Sequence, residues 1–188
     1  MPLETIFLII ETTSTTLVAA CLLRFYLQLL KINFAPNSDN PFSKFLIPLT
    51  NWLINPIGKI ISFGGQIDVR SLLASYLLVL AKTLILLKLS NAKYSELQTL
   101  VITLFSLLDL ALSGLTGLLI VHAFFSWSQT RSPTQILFYE MMEPLLKPIR
   151  RLSPKISGID ASTLILFILI RLISSSLKSI ERVLLTAI

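Results

Sequence analysis

Charged side chains are scarce in this 188-residue chain, at 14% of all residues. Soluble domains carry about 25% charged residues, which cover their outer surface. Apolar residues make up 54% of the sequence, and the mean hydropathy is +0.79. The shortage of charge therefore argues against a soluble enzyme or a disordered chain and indicates an integral membrane protein.

Residues that build disulfides, metal sites and cofactor sites are also few. Cys21 is the only cysteine, so no internal disulfide can form, and His122 is the only histidine. The sequence has no nucleophile motif, phosphate-binding loop or dinucleotide fingerprint. We therefore predict a protein that is not an enzyme and uses no cofactor or metal. An interfacial aromatic belt is the favoured explanation of His122, and no residue spacing supports haem ligation with Met141 or Met142.

Four long apolar stretches have the length of membrane-spanning helices, which need about 20 mostly apolar residues. They run over about Thr5–Leu30, Ser71–Leu89, Leu97–Phe125 and Ala161–Ile180. The N-terminus lacks the basic start of a signal peptide, so we expect the first stretch to be a retained membrane helix. The sequence thus predicts an all-α membrane protein with four transmembrane helices.

Two of the three connections are long, and they concentrate the positive charge. Residues 31–70 and 126–160 hold nine of the sixteen Lys and Arg side chains, against four on the opposite side. Because basic loops stay in the cytoplasm, we predict cytoplasmic long loops and both termini outside. The net charge of +6 then reflects orientation and contact with anionic lipids rather than nucleic acid binding.

The two long connections superimpose without a gap at an offset of 92 residues. Nine identities occur in the 41 pairs that begin at Asn40 and end at Leu80, including two proline pairs and an Ile-Asp pair. We therefore predict a tandem parallel repeat of helix, amphipathic loop and helix. The first repeat is 1–89, and residues 90–96 link it to the second repeat, 97–188.

Each long connection has apolar residues spaced three or four apart, as on one face of a helix. In the second, Ser132-Pro133 is typical of a helix start, whereas Pro144 and Pro148 predict a broken segment. We expect this segment to lie in the membrane interface and to bind lipid or protein partners through its basic face. The predicted contacts are Lys147, Arg150, Arg151 and Lys155. Homo-oligomer formation stays open.

Asp68 and Asp160 close the two long connections at equivalent positions. Aspartate before a helix accepts hydrogen bonds from the unpaired N–H groups of the first turn and favours its positive end. We therefore predict that both residues are helix caps.

Ionisable residues inside membrane spans are costly and are functional candidates. Counted in depth from the outer end, Glu11 matches Lys82, and Asp109 matches Arg171. We predict these as ion pairs, because an unpaired charge near mid-membrane costs about 2.5–3.5 kcal/mol on insertion scales. Pairing that fixes the bundle is the favoured interpretation, and a polar path for ions or protons is the alternative.

The second long connection resembles the signature of the YggT family. The resemblance rests on Pro148-Ile149-Arg150-Arg151 followed by Gly158-Ile159-Asp160, and the duplicated two-helix unit extends it over nearly the whole chain. The first copy reads Asn55-Pro56-Ile57-Gly58-Lys59 and lacks one arginine.

The resemblance implies a bacterial inner-membrane protein. Family members have been linked to osmotic stress tolerance and ion homeostasis, and in plastids to the assembly of membrane complexes and haem proteins. Two functions therefore compete: an osmotic-stress or ion-homeostasis factor, and a scaffold that recruits partners through the loop around Arg150 and Arg151.

Overall fold

A computed structural model describes residues 2–32, 41–60, 69–90, 94–127, 132–152 and 161–188. Within these ranges the chain is all-α and has six helices. They are α1 (Pro2–Leu29), α2 (Pro41–Ile60), α3 (Val69–Leu89), α4 (Glu96–Trp127), α5 (Pro133–Leu152) and α6 (Ala161–Ala187). In this described part, α1, α3, α4 and α6 are long and apolar enough to cross a membrane. The predicted all-α fold with four membrane helices is confirmed, as for a multi-pass membrane protein.

The shorter helices α2 and α5 begin and end at positions 92 residues apart, which is the offset of the sequence repeat. The predicted break was wrong: each helix runs continuously through two internal prolines, Pro48 and Pro56 in α2 and Pro144 and Pro148 in α5. A proline removes one helical hydrogen bond and leaves the carbonyl four residues earlier without that partner. All four of these prolines are exposed, so the freed carbonyls face outward, where water or lipid headgroups can bind them.

The first compact unit consists of Met1–Ala111 and Ile180–Ile188. In it, α1 packs along α3, and α2 packs against both. Buried apolar clusters join one residue from each of three helices: Val18, Val79 and Leu107 from α1, α3 and α4, and Cys21, Ile54 and Ala74 from α1, α2 and α3. The inner face of α2 is therefore part of the same core as the membrane helices.

Buried hydroxyl groups of this unit bond to their own helices. Ser75 Oγ donates to the Ser71 carbonyl oxygen at 2.9 Å. Thr83 Oγ1 donates in the same way to the Val79 carbonyl oxygen at 2.8 Å. Because such bonds satisfy a hydroxyl within one helix, these polar side chains can be buried without a water-filled path beside them.

The last turn of α1 closes in a Schellman motif. The N–H of Lys31 donates to the Gln28 carbonyl oxygen at 2.9 Å, and the N–H of Ile32 donates to that of Leu27 at 3.1 Å. Lys31 adopts a φ of 56°, the left-handed conformation in which glycine is usual. A side chain there costs about 1 kcal/mol, so the sharp end of α1 is held at some expense in stability.

The second compact unit is Leu112–Ser179. The predicted start of α5 is confirmed, because the N–H of Gln135 donates to Ser132 Oγ at 3.2 Å. The side chain of Gln135 also donates from Nε2 to the Phe125 carbonyl oxygen at 2.8 Å, which fastens α5 to the end of α4. These compact units follow contacts between helices and do not test the repeat boundaries 1–89 and 97–188, which stay a prediction.

His122 lies inside the second unit rather than in an interfacial belt. Its side chain is only 2% exposed and meets the Tyr139 ring edge-on, with 4.7 Å between ring centres. Its neighbours Phe124 and Trp127 are strongly exposed, as expected for belt residues. The belt interpretation stays a prediction for these two aromatic residues and was wrong for His122, which α5 covers.

Candidate functional site

α2 and α5 each bury one face and expose the other, in the same register. The buried positions are Ser43, Leu46, Thr50 and Ile54 in α2, which correspond at the offset of 92 to Gln135, Phe138, Met142 and Leu146 in α5. Corresponding positions are also exposed: Lys44, Pro48, Trp52, Asn55, Pro56 and Lys59 in α2, and Ile136, Glu140, Pro144, Lys147, Pro148 and Arg151 in α5. The two helices therefore present equivalent outer faces.

The outer face of α5 is charged. Lys147 and Arg151 lie one turn apart and are exposed. Arg150 is half-buried, and its Nη1 is 2.7 Å from Glu143 Oε2. An ion pair this accessible to solvent adds little to stability, but it orders the Arg150 side chain. Three of the four predicted contacts thus lie on one ordered helix, and Lys155 lies outside the described residues.

The outer face of α2 has the exposed lysines Lys44 and Lys59 and, in addition, large aromatic rings. Phe45 and Trp52 are 67% and 60% exposed. Trp52 Nε1 donates to the Leu49 carbonyl oxygen of its own helix at 2.7 Å. Large amphipathic rings of this kind are typical of the boundary between lipid and water. The outer face of α2 therefore differs from that of α5 in its exposed aromatic rings, although the equivalent residues Lys59 and Arg151 are both basic.

Arg24 of α1 holds α2, a role that the sequence alone did not indicate. Its Nη1 donates to Thr50 Oγ1 and to Asn51 Oδ1, each at 2.8 Å. Thr50 is fully buried, and its hydroxyl hydrogen is committed to the Leu46 carbonyl oxygen at 2.6 Å, so its lone pairs are available to Arg24. Two sequence features could have indicated this contact: an arginine near the end of an apolar run and a polar Thr-Asn pair within an amphipathic segment.

Arg70, in the first turn of α3, lies over α2 at Gly58. A Cβ atom added to Gly58 would lie 3.1 Å from Arg70 Nη1 and 3.5 Å from its Cδ and Cζ atoms. At the offset of 92, Gly58 corresponds to Arg150, and Arg70 corresponds to Ser162. The guanidinium that the first copy lacks on α2 is therefore replaced by one from α3.

Lys82 of α3 reaches α1 inside the membrane spans. Its Nζ donates to Thr15 Oγ1 at 3.4 Å. Thr15 lies one helical turn after Glu11, which is exposed. The predicted Glu11–Lys82 ion pair stays a prediction, since the contact that is seen joins Lys82 to the neighbouring turn.

The second predicted ion pair also stays a prediction. Asp109 is half-buried on α4 and belongs to the first compact unit, whereas Arg171 belongs to the second. The Arg171 guanidinium lies 5.5 Å from the centre of the Phe167 ring, within reach of a cation–π interaction.

The predicted caps Asp68 and Asp160 lie outside the described residues. In the part of the chain that the structure describes, no group of three or more His, Cys, Asp and Glu side chains is placed to hold a metal ion.

Comparison with known proteins places the chain in a family. The family profile described as CCB3/YggT matches residues 3–89 and 101–180. The "Uncharacterized protein in proC 3'region" of Vibrio alginolyticus is 36% identical over 85% of this chain and 86% of its own length. The "Uncharacterized protein YggT" of Escherichia coli (strain K12) is 32% identical over 95% and 92%, and the "Uncharacterized protein PA0392" of Pseudomonas aeruginosa is 32% identical over 88% and 84%. No solved structure matches the chain. The resemblance inferred from the loop motif is confirmed: the chain belongs to the CCB3/YggT family.

Proposed function

We propose that this protein is a non-enzymatic scaffold of the bacterial inner membrane that recruits protein partners through the outer face of α5. One observation carries the proposal: α5 buries its apolar face and exposes Lys147 and Arg151 one turn apart on a continuous helix. The proposal places both long loops in the cytoplasm and both termini outside, as the distribution of basic residues favours.

A partner with an acidic, helical or extended segment fits this face best. The Arg150–Glu143 pair holds one arginine in place, so less side-chain entropy is lost when the face is covered. Lys147 and Arg151 then supply charge for steering and for contacts at the rim of the interface. The buried hydroxyls of the membrane helices bond to their own backbones, so they do not call for a transport path.

The test is affinity purification from native membranes. We expect Lys147→Gln/Arg151→Gln to lose the partner set of the unaltered protein, because both exposed positive charges are removed without touching the buried face. Lys31→Gln/Lys44→Gln removes two exposed charges from the first unit and is the matched control. An unchanged partner set in the α5 variant, or an equal loss in the control, would contradict the proposal.

A role in osmotic stress tolerance or ion homeostasis is the second candidate. The ionisable side chains within the spans favour it, above all the bond between Lys82 and Thr15 and the half-buried Asp109. For this function, Asp109→Asn should impair growth at high osmolarity or altered ion supply while the protein level stays normal. Normal growth of the variant under those conditions would count against ion homeostasis.

A further inference from the structure

Each repeat brings an arginine to the helix position shared by Gly58 and Arg150, but from a different helix. In the second repeat, α5 itself carries Arg150. In the first repeat that position is Gly58, and the Arg70 side chain from α3 lies beside it, with Nη1 3.1 Å from where a Cβ would stand. Gly58 leaves room for this approach, because a Cβ there would require the Arg70 side chain to shift by a few tenths of an ångström.

The first repeat has no carboxylate at the position of Glu143, the residue that pairs with Arg150. Arg150 bonds to Glu143 of its own helix at 2.7 Å. The residue equivalent to Glu143 in the first repeat is Asn51, which is uncharged and accepts a hydrogen bond from Arg24. No Asp or Glu occurs anywhere in α2, so this helix offers Arg70 no carboxylate partner of the kind that Arg150 has.

The position of Arg70 indicates what kind of anion would balance it. Arg70 is the second residue of a membrane-spanning helix, so it lies at the end of the span. Phe45 and Trp52 on the outer face of α2 suit the lipid boundary, the depth at which headgroup phosphates occur.

We propose that the first repeat binds the phosphate of an anionic phospholipid headgroup through the Arg70 guanidinium beside Gly58, with the exposed Lys59 flanking it. An arginine fork suits two phosphate oxygens, and Lys59 adds a second charge. The site is independent of the partner-binding face of α5.

The test measures lipid preference close to α2. The chain has two tryptophans, so Trp127→Phe leaves Trp52 on α2 as the only donor for energy transfer. The protein is placed in phosphatidylcholine nanodiscs with traces of pyrene-labelled phosphatidylglycerol or pyrene-labelled phosphatidylcholine. We expect the phosphatidylglycerol probe to be favoured, and Arg70→Ser to lower that preference about fivefold, the change that corresponds to about 1 kcal/mol for one basic residue near an anionic surface.

Two variants make the result specific. Gly58→Arg/Arg70→Ser gives the first repeat the arrangement of the second and should restore the preference. Lys88→Ser removes the same charge from the other end of α3 and should leave it unchanged. If Arg70→Ser does not fold, Arg70→Gln removes the charge and keeps most of the side chain.

Several outcomes would overturn the proposal. One is that Arg70→Ser keeps the preference for phosphatidylglycerol, or reduces it no more than Lys88→Ser does. Another is that Arg70→Ser lowers energy transfer to both probes equally, which would mean that Arg70 only supports the helix packing. Failure of the folded double variant to regain the preference would also count against the site. Arg70-dependent binding of inorganic phosphate, together with no preference between the two lipid probes, would assign the site to a soluble anion instead of a lipid.

Discussion

α2 and α5 are equivalent helices of the two repeats and bury corresponding positions. They differ in the side chain that bonds each of them to a neighbouring helix and in the side chains that they expose. α2 is held by a charged donor, Arg24, and exposes aromatic rings. α5 is held by an amide, Gln135, and exposes charged side chains. Packing against membrane helices restricts what the inner face can be, whereas the outer face has no such restriction and can differ with the ligand or partner that it meets.

The largest loss of stability should follow from removing the hydrogen bonds between Arg24 and α2. Arg24→Ala removes at least the two described hydrogen bonds from this charged donor to α2, each worth about 1.5–3 kcal/mol, so we expect the free energy of unfolding to fall by roughly 3 kcal/mol or more. Denaturant titration in detergent micelles, followed by tryptophan fluorescence, measures this. A decrease in the free energy of unfolding well below the roughly 1 kcal/mol of a neutral hydrogen bond would show that Arg24 does not hold α2.

A double-mutant cycle can locate the Arg24 effect. Thr50→Val keeps the shape of the buried residue and removes the hydroxyl that accepts from Arg24 at 2.8 Å. It should therefore destabilise the unaltered protein more than it destabilises Arg24→Ala. Equal effects in both backgrounds would mean that the two side chains act independently.

The attachment of α5 should be weaker. Gln135→Ala removes a neutral hydrogen bond to the Phe125 carbonyl oxygen, which predicts a loss of about 1 kcal/mol in the same titration. The difference between Arg24→Ala and Gln135→Ala measures how unequal the two attachments are. Equal losses would remove the distinction between them.

The smallest effect should come from the outer face of α5. Glu143→Gln breaks the accessible ion pair with Arg150 and should change the free energy of unfolding by less than about 1 kcal/mol. It also releases a positive charge, so recovery of an acidic partner should be maintained or raised. A large loss of stability would show that the outer face of α5, unlike that of α2, is part of the structural core.

The sequence predicted the membrane helices well because a spanning helix needs a long apolar run. The end of α6 was missed: the helix continues from Ile180 to Ala187, where charged residues lower hydropathy while remaining good helix formers. The break in α5 was wrongly predicted, because the proline rule takes no account of the face on which Pro144 and Pro148 lie.

The site was predicted only in part, for a physical reason. Lys147, Arg150 and Arg151 share a face of one helix, so their periodicity reveals them. The contacts of Arg24 with α2, and of Arg70 with Gly58, depend on how separate helices pack, which local periodicity does not encode. At the offset of 92, the sequence shows that Gly58 corresponds to Arg150 and Arg70 to Ser162. Only the packing of α3 on α2 shows that Arg70 lies beside Gly58.

The exposed prolines of α2 have a consequence for how the chain enters the bilayer. A helix of 20 residues is about 30 Å long, which equals the thickness of the hydrocarbon core. Pro48 and Pro56 free the carbonyls of Lys44 and Trp52, and each would cost several kcal/mol in hydrocarbon. If α2 crossed the membrane, every later span would be inverted. We therefore expect α2 to stay at the membrane surface, which would keep an even number of crossings and the predicted sidedness of the second repeat.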